Sequence, residues 1–193
     1  MLRPSSIREL ADAIVAAHKA IGRDLGRLLD PGLSAEEINA KTSSLPCHLP
    51  ASVKELLQWH DGTRKGVATF GDMWLLPGFH LISLDDAIDI YKMFMESEWN
   101  HWNKNWFPVF RDPAIDVYAV VCGPEGKDDA PVMRYACDGT EDPGIEFSGL
   151  RPMFSVVLAA LRSNAYFINN EGLFDVDESR LVQLIQEIDP NPR

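Results

Sequence analysis

The stretch from Trp106 to Cys122 constrains the fold of this chain more than any other part of the sequence. Its first half, Trp106 to Phe110, is aromatic and apolar. Pro113 turns the chain after it, because the proline ring fixes φ and disfavours a helical conformation in the preceding residue. Its second half, Asp116 to Cys122, is apolar at nearly every position and rich in β-branched residues, which is typical of a central strand. Pro108 cannot donate a ladder hydrogen bond, so we expect the first half to be an edge strand or a strand end.

Helical patterns lie on both sides of this hairpin. Two Ser-x-x-Glu capping boxes predict helix starts after Ser6 and Ser34. The predicted helices run from Ile7 to Leu29, from Ala35 to Lys41, from Pro50 to a left-handed end at Gly62, from Ser83 to Met95, from Leu150 to Arg162 and from Asp177 to Ile188.

Short apolar segments predict further strands. Val67 to Phe70 and Met73 to Leu76 predict a hairpin or a bulged strand, and Pro131 to Cys137 predicts a third strand after the central pair. Helices are thus followed by strands with one helix among them, and then by helices again. This segregation indicates an α+β fold, with a mostly antiparallel sheet covered by helices and with N-terminal and C-terminal helical extensions.

Composition narrows the class of protein. The chain has 193 residues, of which 46% are hydrophobic, so it can bury a core. It has no run of about 18 apolar residues, so we expect no membrane span. Its first residues lack the apolar segment of a signal peptide. Of the three cysteines, Cys122 and Cys137 fall in predicted strands, and no metal-like spacing is present. We therefore expect reduced core thiols and a cytoplasmic protein.

The net charge of −11 is distributed unevenly. Nine basic and eight acidic residues precede Gly66. The part of the chain from Gly66 onward has nine basic and twenty-one acidic residues, so its net charge is −12. Such an acidic half argues against nucleic-acid binding, which needs basic surface to neutralise phosphates. It favours attraction to a basic partner, and simple solubility is the alternative explanation.

The helix from Ser83 to Met95 carries the first candidate binding residues. The acidic side chains there and just beyond predict a patch that faces a basic partner. The alternative is that acids in a first helical turn stabilise the helix dipole and that the rest form a solvated face. The candidates are Asp85, Asp86, Asp89, Glu96 and Glu98.

Trp99, Trp102 and Trp106 are spaced three and four residues apart. A helix there would align them in one aromatic stripe. Such a stripe suits a ligand platform or interface anchors, because Trp is enriched in binding hot spots. The alternative is that Trp102 and Trp106 pack on the sheet, and for Trp106 we favour that interpretation.

Acidic loops provide another candidate surface. Asp128 and Asp129 follow the central hairpin, in a turn where a rigid scaffold commonly presents binding residues. Cys47, His48 and His60 lack the supporting spacing of a zinc site, so we expect no metal. The sequence holds no phosphate-binding loop, nucleophile elbow or His-Glu-x-x-His motif, so we predict no catalytic residue and no cofactor.

Four segments carry, in order, a resemblance to a known family. They are Gly32 to Ile38 with Leu49-Pro50 and Asp61-Gly62, then Leu81 to Ala87, then Trp106 to Phe110 with Asp116 to Tyr118, and last Phe154 to Leu161. The ordered set resembles the SUKH superfamily, the Smi/Knr-type cell-wall regulator and toxin-immunity domain. We accordingly divide the chain into an N-terminal helical extension (1–32), a SUKH-like α+β domain (33–168) and a C-terminal helical tail (169–193).

The resemblance implies a non-enzymatic protein-binding domain. Bacterial members are similar to immunity proteins that bind and neutralise toxins, often nucleases, and fungal members act through protein contacts. We expect a cognate toxin with a basic surface as the partner, no nucleic-acid or membrane partner, and a monomer or weak homodimer. Two other hypotheses stay open. One is a small-ligand or glycan-binding domain that uses Trp99 and Trp102. The other is a hydrolase with clustered carboxylates, for which no nucleophile–base pair can be named.

Overall fold

Helices lie on both sides of a run of four consecutive strands in the computed structural model, which describes residues 6–66, 70–97, 102–123, 126–137 and 142–190. The helices are α1 (Ile7–Ala20), α2 (Ala35–Thr42), α3 (Ala51–Trp59), α4 (Phe70–Met73), α5 (Leu84–Glu96), α6 (Leu150–Arg162) and α7 (Glu178–Ile188), and a 3-10 turn spans Leu25–Leu28. The strands are β1 (Leu29–Pro31), β2 (His60–Thr63), β3 (His80–Leu81), β4 (Trp106–Arg111), β5 (Val117–Val121), β6 (Val132–Tyr135), β7 (Gly144–Phe147), β8 (Tyr166–Ile168) and β9 (Phe174–Val176).

A five-stranded sheet lies at the centre, in the order β3-β4-β5-β6-β7, and every neighbouring pair is antiparallel. β5 is the middle strand, and its Val117, Ala119 and Val120 have 0% exposure. The predicted central strand is therefore confirmed. Since the strands are antiparallel and the helices pack around them, the predicted α+β fold is confirmed as well.

β4 is an internal strand, which corrects the expectation of an edge strand. It pairs with β5 on one side and with β3 on the other. The sheet tolerates Pro108 because β3 has only two residues, which pair with Phe110 and Arg111, and so does not reach Pro108. Pro108 lies opposite Ala119 of β5, next to a bulge in the register.

α1 is shorter than predicted. Both predicted capping boxes are present, at Ser6 with Glu9 and at Ser34 with Glu37. α1 nevertheless ends at Ala20 instead of continuing to Leu29. Gly22 has φ +86, and the next residue donates its backbone N–H to the His18 carbonyl, which forms a Schellman cap. Gly22 thus ends the helix.

α3 ends at Trp59, so the expectation that Gly62 ends this helix is wrong. His60–Thr63 forms β2, which pairs with β1. Gly62 does adopt the left-handed conformation, with φ +79, but it does so within this strand. A Cβ atom at Gly62 would lie 2.3 Å from the backbone nitrogen of Ser83. Glycine is required there because two backbones approach closely.

Three further predictions need correction. Phe70–Met73 forms the helical turn α4 rather than part of a hairpin, and Val67, Ala68 and Thr69 lie outside the described residues. β6 ends at Tyr135, so Cys137 is exposed and is not a core residue. The helix predicted from Ser83 to Met95 spans Leu84–Glu96 instead, with Ser83 as its cap, and Met95 is 45% exposed. The hairpin of β8 and β9, and strand β7, were not predicted.

Both terminal helices dock on α6. α6 places Phe154 against Phe110 of β4, with ring centroids 6.1 Å apart. α1 and α7 each contact α6. The α1 face on the core consists of Ile7, Leu10, Ala11, Ile14 and His18, whereas α7 contributes partly buried side chains, Leu181, Leu184 and Ile185. No described helix combines the length and the apolar character needed to cross a membrane.

Candidate partner-binding surface

The outer face of α5 presents most of the predicted acidic residues. The helical period places positions i, i+4, i+8 and i+11 on one side, so Asp85, Asp89, Met93 and Glu96 share a face. All four are exposed, and Met93 is 43% exposed. The opposite face is held in the core by Leu84, Ala87, Ile90, Tyr91 and Phe94. We call the four exposed residues the α5 acidic face.

Two of the predicted acids form ion pairs with nearby lysines. Lys41 Nζ lies 2.6 Å from Asp85 Oδ1, and Lys65 Nζ lies 2.7 Å from Asp86 Oδ1. Asp86 also accepts a hydrogen bond from the Ser83 hydroxyl, while its own N–H donates to that hydroxyl and caps α5. Burial favours the neutral acid, but the bonds from Lys65 and Ser83 outweigh it and lower the pKa of Asp86. Asp86 therefore serves the helix start as well as the surface.

Asp89 and Glu96 are the acids of the α5 acidic face without an ion pair among the described residues, and the exposed Lys92 lies between them, three residues after Asp89 and four before Glu96. Neither is in a salt bridge with any residue in the described part of the chain. Exposed ion pairs contribute little free energy, so even the Asp85 pair with Lys41 can be broken by a competing cation.

Asp61 is an acidic residue of this region that the sequence patterns did not indicate. Its Oδ1 accepts the Leu84 backbone N–H at 2.7 Å, so it stabilises the start of α5. Burial raises the pKa of Asp61, and the nearby charges of Asp85 and Asp30 raise it further. The hydrogen bond from the Leu84 N–H lowers it by less, so the net shift is upward. The Asp61 carboxylate is thus engaged in capping α5.

The predicted tryptophan stripe is not helical where the structure describes it. Glu98 and Trp99 lie outside the described residues. Trp102 precedes β4 in a non-helical segment, and its ring contacts Phe94, Trp106 and Tyr135 at centroid distances of 4.7, 5.4 and 5.2 Å. These contacts place Trp102 in an aromatic cluster beside the sheet, as expected from packing rather than from an open ligand platform.

Asp129 has a structural role, because it accepts hydrogen bonds from two helices. Its Oδ1 accepts from the Ser52 hydroxyl at 2.7 Å and from the Leu150 N–H at 3.0 Å, and its Oδ2 accepts from the Arg151 N–H at 3.1 Å. Gly149 precedes α6 without a side-chain cap of its own. A Cβ atom there would lie 2.5 Å from Asp129 Oδ2. Asp129 thus caps α6 from a distant loop and joins it to α3.

Asp128 is the surface member of that pair of acids. Its side chain is 81% exposed and lies 2.8 Å from Arg151 Nη1. The α5 acids contact Lys41 and Lys65, whereas the loop acids contact α3 and α6. The predicted residues therefore belong to two surfaces built on different elements, and only the α5 set presents acids together on one helix face.

A metal centre has no support in the described residues, where no group of three or more His, Cys, Asp or Glu side chains could hold an ion. His60 Nδ1 contacts the Asp30 carbonyl at 2.6 Å, and His48 is exposed. Cys47 is buried and interacts with the buried Cys122 thiol. Cys47, His48 and His60 therefore make different contacts and do not converge on one site.

A family model described as the SMI1 / KNR4 family (SUKH-1) matches residues 32–154, which is more than half of the chain. The chain belongs to the SMI1/KNR4 family (SUKH-1). No curated protein matches it. The SUKH-1 match begins just after β1 and ends within α6, so α1, the β8–β9 hairpin and α7 lie outside it.

His18 joins the N-terminal helix to the SUKH-1 domain. It is fully buried, at 0% exposure. Its Nε2 contacts the Leu75 carbonyl at 3.0 Å, and its Nδ1 lies 2.9 Å from Arg23 Nη1. Because a guanidinium can only donate, Nδ1 is the acceptor and Nε2 carries the hydrogen. Burial and the Arg23 charge lower the pKa of His18 to about 4, against the opposing effect of the Leu75 bond. Spacing along the chain does not reveal this contact, since Leu75 lies 57 residues from His18.

Proposed function

We propose that this protein is a non-enzymatic immunity protein of the bacterial cytoplasm, which binds and neutralises a toxin with a basic surface. The observation that carries the proposal is the α5 acidic face on a SUKH-1 domain. There, Asp89 and Glu96 lie exposed on either side of Met93 without a salt bridge to any described residue. Acidic groups around an exposed apolar side chain suit contact with a basic protein surface.

The physical role of this face is to speed and orient association. The chain carries a net charge of −11, so a basic toxin is attracted at long range. Asp89 and Glu96 then fix the orientation, because their carboxylates meet lysine or arginine side chains of the toxin. Met93 adds apolar contact, and its flexible thioether adapts to the partner surface. Neutralisation follows when the bound protein covers the active-site cleft of the toxin or the surface beside it.

The first test is co-purification with the product of the neighbouring gene. The tagged protein and that product are expressed together, and the eluted complex is analysed for stoichiometry by light scattering. We expect one stoichiometric complex, and we expect the neighbour to be toxic when expressed alone and harmless with this protein. A neighbour that is harmless alone and forms no complex contradicts the proposal.

The second test separates the α5 acidic face from general charge. Asp89→Asn with Glu96→Gln removes two charges from this face, and Glu178→Gln with Glu187→Gln removes two exposed charges from α7. We expect the first variant to slow association by roughly two- to tenfold and to flatten its salt dependence. The control variant should change the association rate and its salt dependence less. Equal effects in the two variants contradict the assignment of this face and leave only general electrostatic attraction.

A further inference from the structure

A groove of about 810 Å³ lies between the end of α1, the α4 segment and the β8–β9 hairpin. Its volume is in the range of ligand-binding pockets in proteins, about 300–1,000 Å³. The residues that matter for its chemistry are Arg23, Asp72, Trp74, Ile168, Leu173 and Asp175. Arg23, Ile168, Leu173 and Asp175 lie outside the SUKH-1 match, so the groove forms only where the terminal elements dock on the domain.

Apolar side chains on the hairpin are open to solvent at this groove. Leu173 is 56% exposed and Ile168 is 38% exposed, and Trp74 lines the same space. Single exposed apolar residues are common, but adjacent ones that line one cavity mark an interaction site. The groove therefore offers apolar contact area that intramolecular packing does not use.

The charge in the groove is acidic. The Asp175 carboxylate accepts from the Asn169 amide at 3.0 Å and from the Val176 N–H at 2.9 Å. These bonds lower the pKa of Asp175, so it is ionised at neutral pH. Asp175 is half-buried, whereas Asp72 adds an exposed carboxylate that interacts electrostatically with Arg23. Since Arg23 is the one cation among the described lining residues, the lining carries a net charge of −1.

Arg23 is turned inward and serves the fold. Its Nη1 donates to His18 Nδ1 at 2.9 Å, and its Nη2 donates to the Gly71 carbonyl at 2.7 Å. Its guanidinium carbon lies 4.0 Å from the centre of the Phe174 ring. With these donors committed and its charge offset by that of Asp72, Arg23 forms the floor of the groove, and Asp175 supplies the net negative charge.

The hairpin presents Leu173 in an ordered turn. Asn169 Oδ1 accepts from the backbone N–H groups of Glu171 and Leu173, each at 3.0 Å. Gly172 supplies the left-handed residue of the turn, with φ +79. Because the turn is held before any partner arrives, binding costs little additional conformational entropy.

We propose that this groove binds a basic, amphipathic segment of a protein partner. A lysine or arginine of the segment lies near the Asp175 carboxylate, and an adjoining apolar side chain packs on Leu173 and Trp74. This proposal rests on the proposed function in one respect, since the segment belongs to the same basic protein that meets the α5 acidic face.

The test that does not need the toxin is a peptide selection. A random-peptide library displayed on phage is selected on the immobilised full chain. Enriched peptides are then titrated against wild type, Leu173→Ser and Asp175→Asn. Ile145→Ser and Glu187→Gln are matched controls, because Ile145 is 41% exposed on β7 and Glu187 is exposed on α7. Circular dichroism checks that every variant is folded.

We expect enriched peptides to combine Lys or Arg with an apolar residue. Each groove variant should bind the enriched peptides about tenfold more weakly than wild type, and the control variants should bind them as wild type does. No enrichment, enriched peptides without basic residues, or equal affinity for groove and control variants overturns the proposal.

The co-purified complex gives an independent result. If the complex forms and the groove variants keep its affinity, the groove is overturned while the proposed function stands. If no complex forms, the peptide titration alone decides the groove.

Discussion

Replacing His18 by glutamine should remove one source of the acid sensitivity of this fold. In the native state the His18 ring is neutral, fully buried and bonded to Leu75 and Arg23. A second proton would have to sit on Nδ1, next to the Arg23 guanidinium, which cannot accept a hydrogen bond. In the unfolded chain the same ring is in water and takes up that proton near its ordinary pKa of 6.5.

The magnitude follows from the pKa difference. The native pKa of about 4 lies below the unfolded value of 6.5, so between these values the unfolded state binds more protons than the native state. The contribution is fully present above pH 6.5 and is lost as the pH falls. Each pH unit in this window costs about 1.4 kcal/mol. We therefore expect a loss of about 2 kcal/mol at pH 5 and about 3 kcal/mol by pH 4 from this group alone.

Urea unfolding at pH 7.5, 6 and 5 measures the effect. Carboxylates also destabilise the fold in acid, so the informative quantity is the difference between variants. His18→Gln is expected to be less stable than wild type at pH 7.5, because the bonds to Leu75 and Arg23 are imperfectly replaced. Between pH 7.5 and pH 5 it should lose about 2 kcal/mol less than wild type loses. His48→Gln, at an exposed histidine, is the matched control and should follow wild type.

Parallel stability curves for wild type and His18→Gln across this pH range would refute the reasoning. The same conclusion would follow from a nitrogen NMR titration in which the His18 ring of the folded protein takes up a proton near pH 6.5. In either case the ring would be hydrated or its contact with Arg23 would differ from the one described.

Three other predictions test the packing. Asp129→Ala should lower the free energy of unfolding by about 2–4 kcal/mol, because it leaves the start of α6 and the Ser52 hydroxyl unpaired. Asp128→Ala should cost less than about 1 kcal/mol, since its ion pair is exposed, and equal losses in urea unfolding would contradict the structural role of Asp129. Gly62→Ala should cost more than about 3 kcal/mol, because its Cβ meets the Ser83 backbone. Gly172→Ala has the same φ of +79 but open space, so it should cost about 1 kcal/mol in thermal unfolding. Of the three cysteines, Cys137 alone should react rapidly with a thiol reagent in the folded state, because Cys47 and Cys122 are buried; mass spectrometry of the labelled site decides this, and rapid labelling of Cys47 contradicts it.

Local signals in the sequence predicted much of the fold. The two capping boxes, the helix from Leu150 to Arg162 and the central strand β5 are where the residue patterns indicated. Each of these depends on residues within a few positions of one another, as a cap or a helical stripe does. The ordered motifs also sufficed to indicate the family, because they span the SUKH-1 match.

The candidate site was predictable to the extent that it lies on one helix. The period of α5 alone places Asp85, Asp89 and Glu96 on a common face. Sequence spacing does not show which charges are paired, since Lys41 and Lys65 are 44 and 21 residues from their acids. For the same reason Asp129 looked like a surface acid, although it caps a helix that begins 21 residues later.

Sequence by itself therefore determined the helix starts, the central strand and the family of this protein. The tertiary structure alone decided that Gly62 serves a close backbone approach, that His18 is a buried neutral ring, and that the terminal elements form a groove with the domain. The physical reason is the range of the interactions. Caps and periodic faces are made by neighbours in the chain, whereas burial, ion pairing and grooves depend on contacts between segments that only the folded chain brings together.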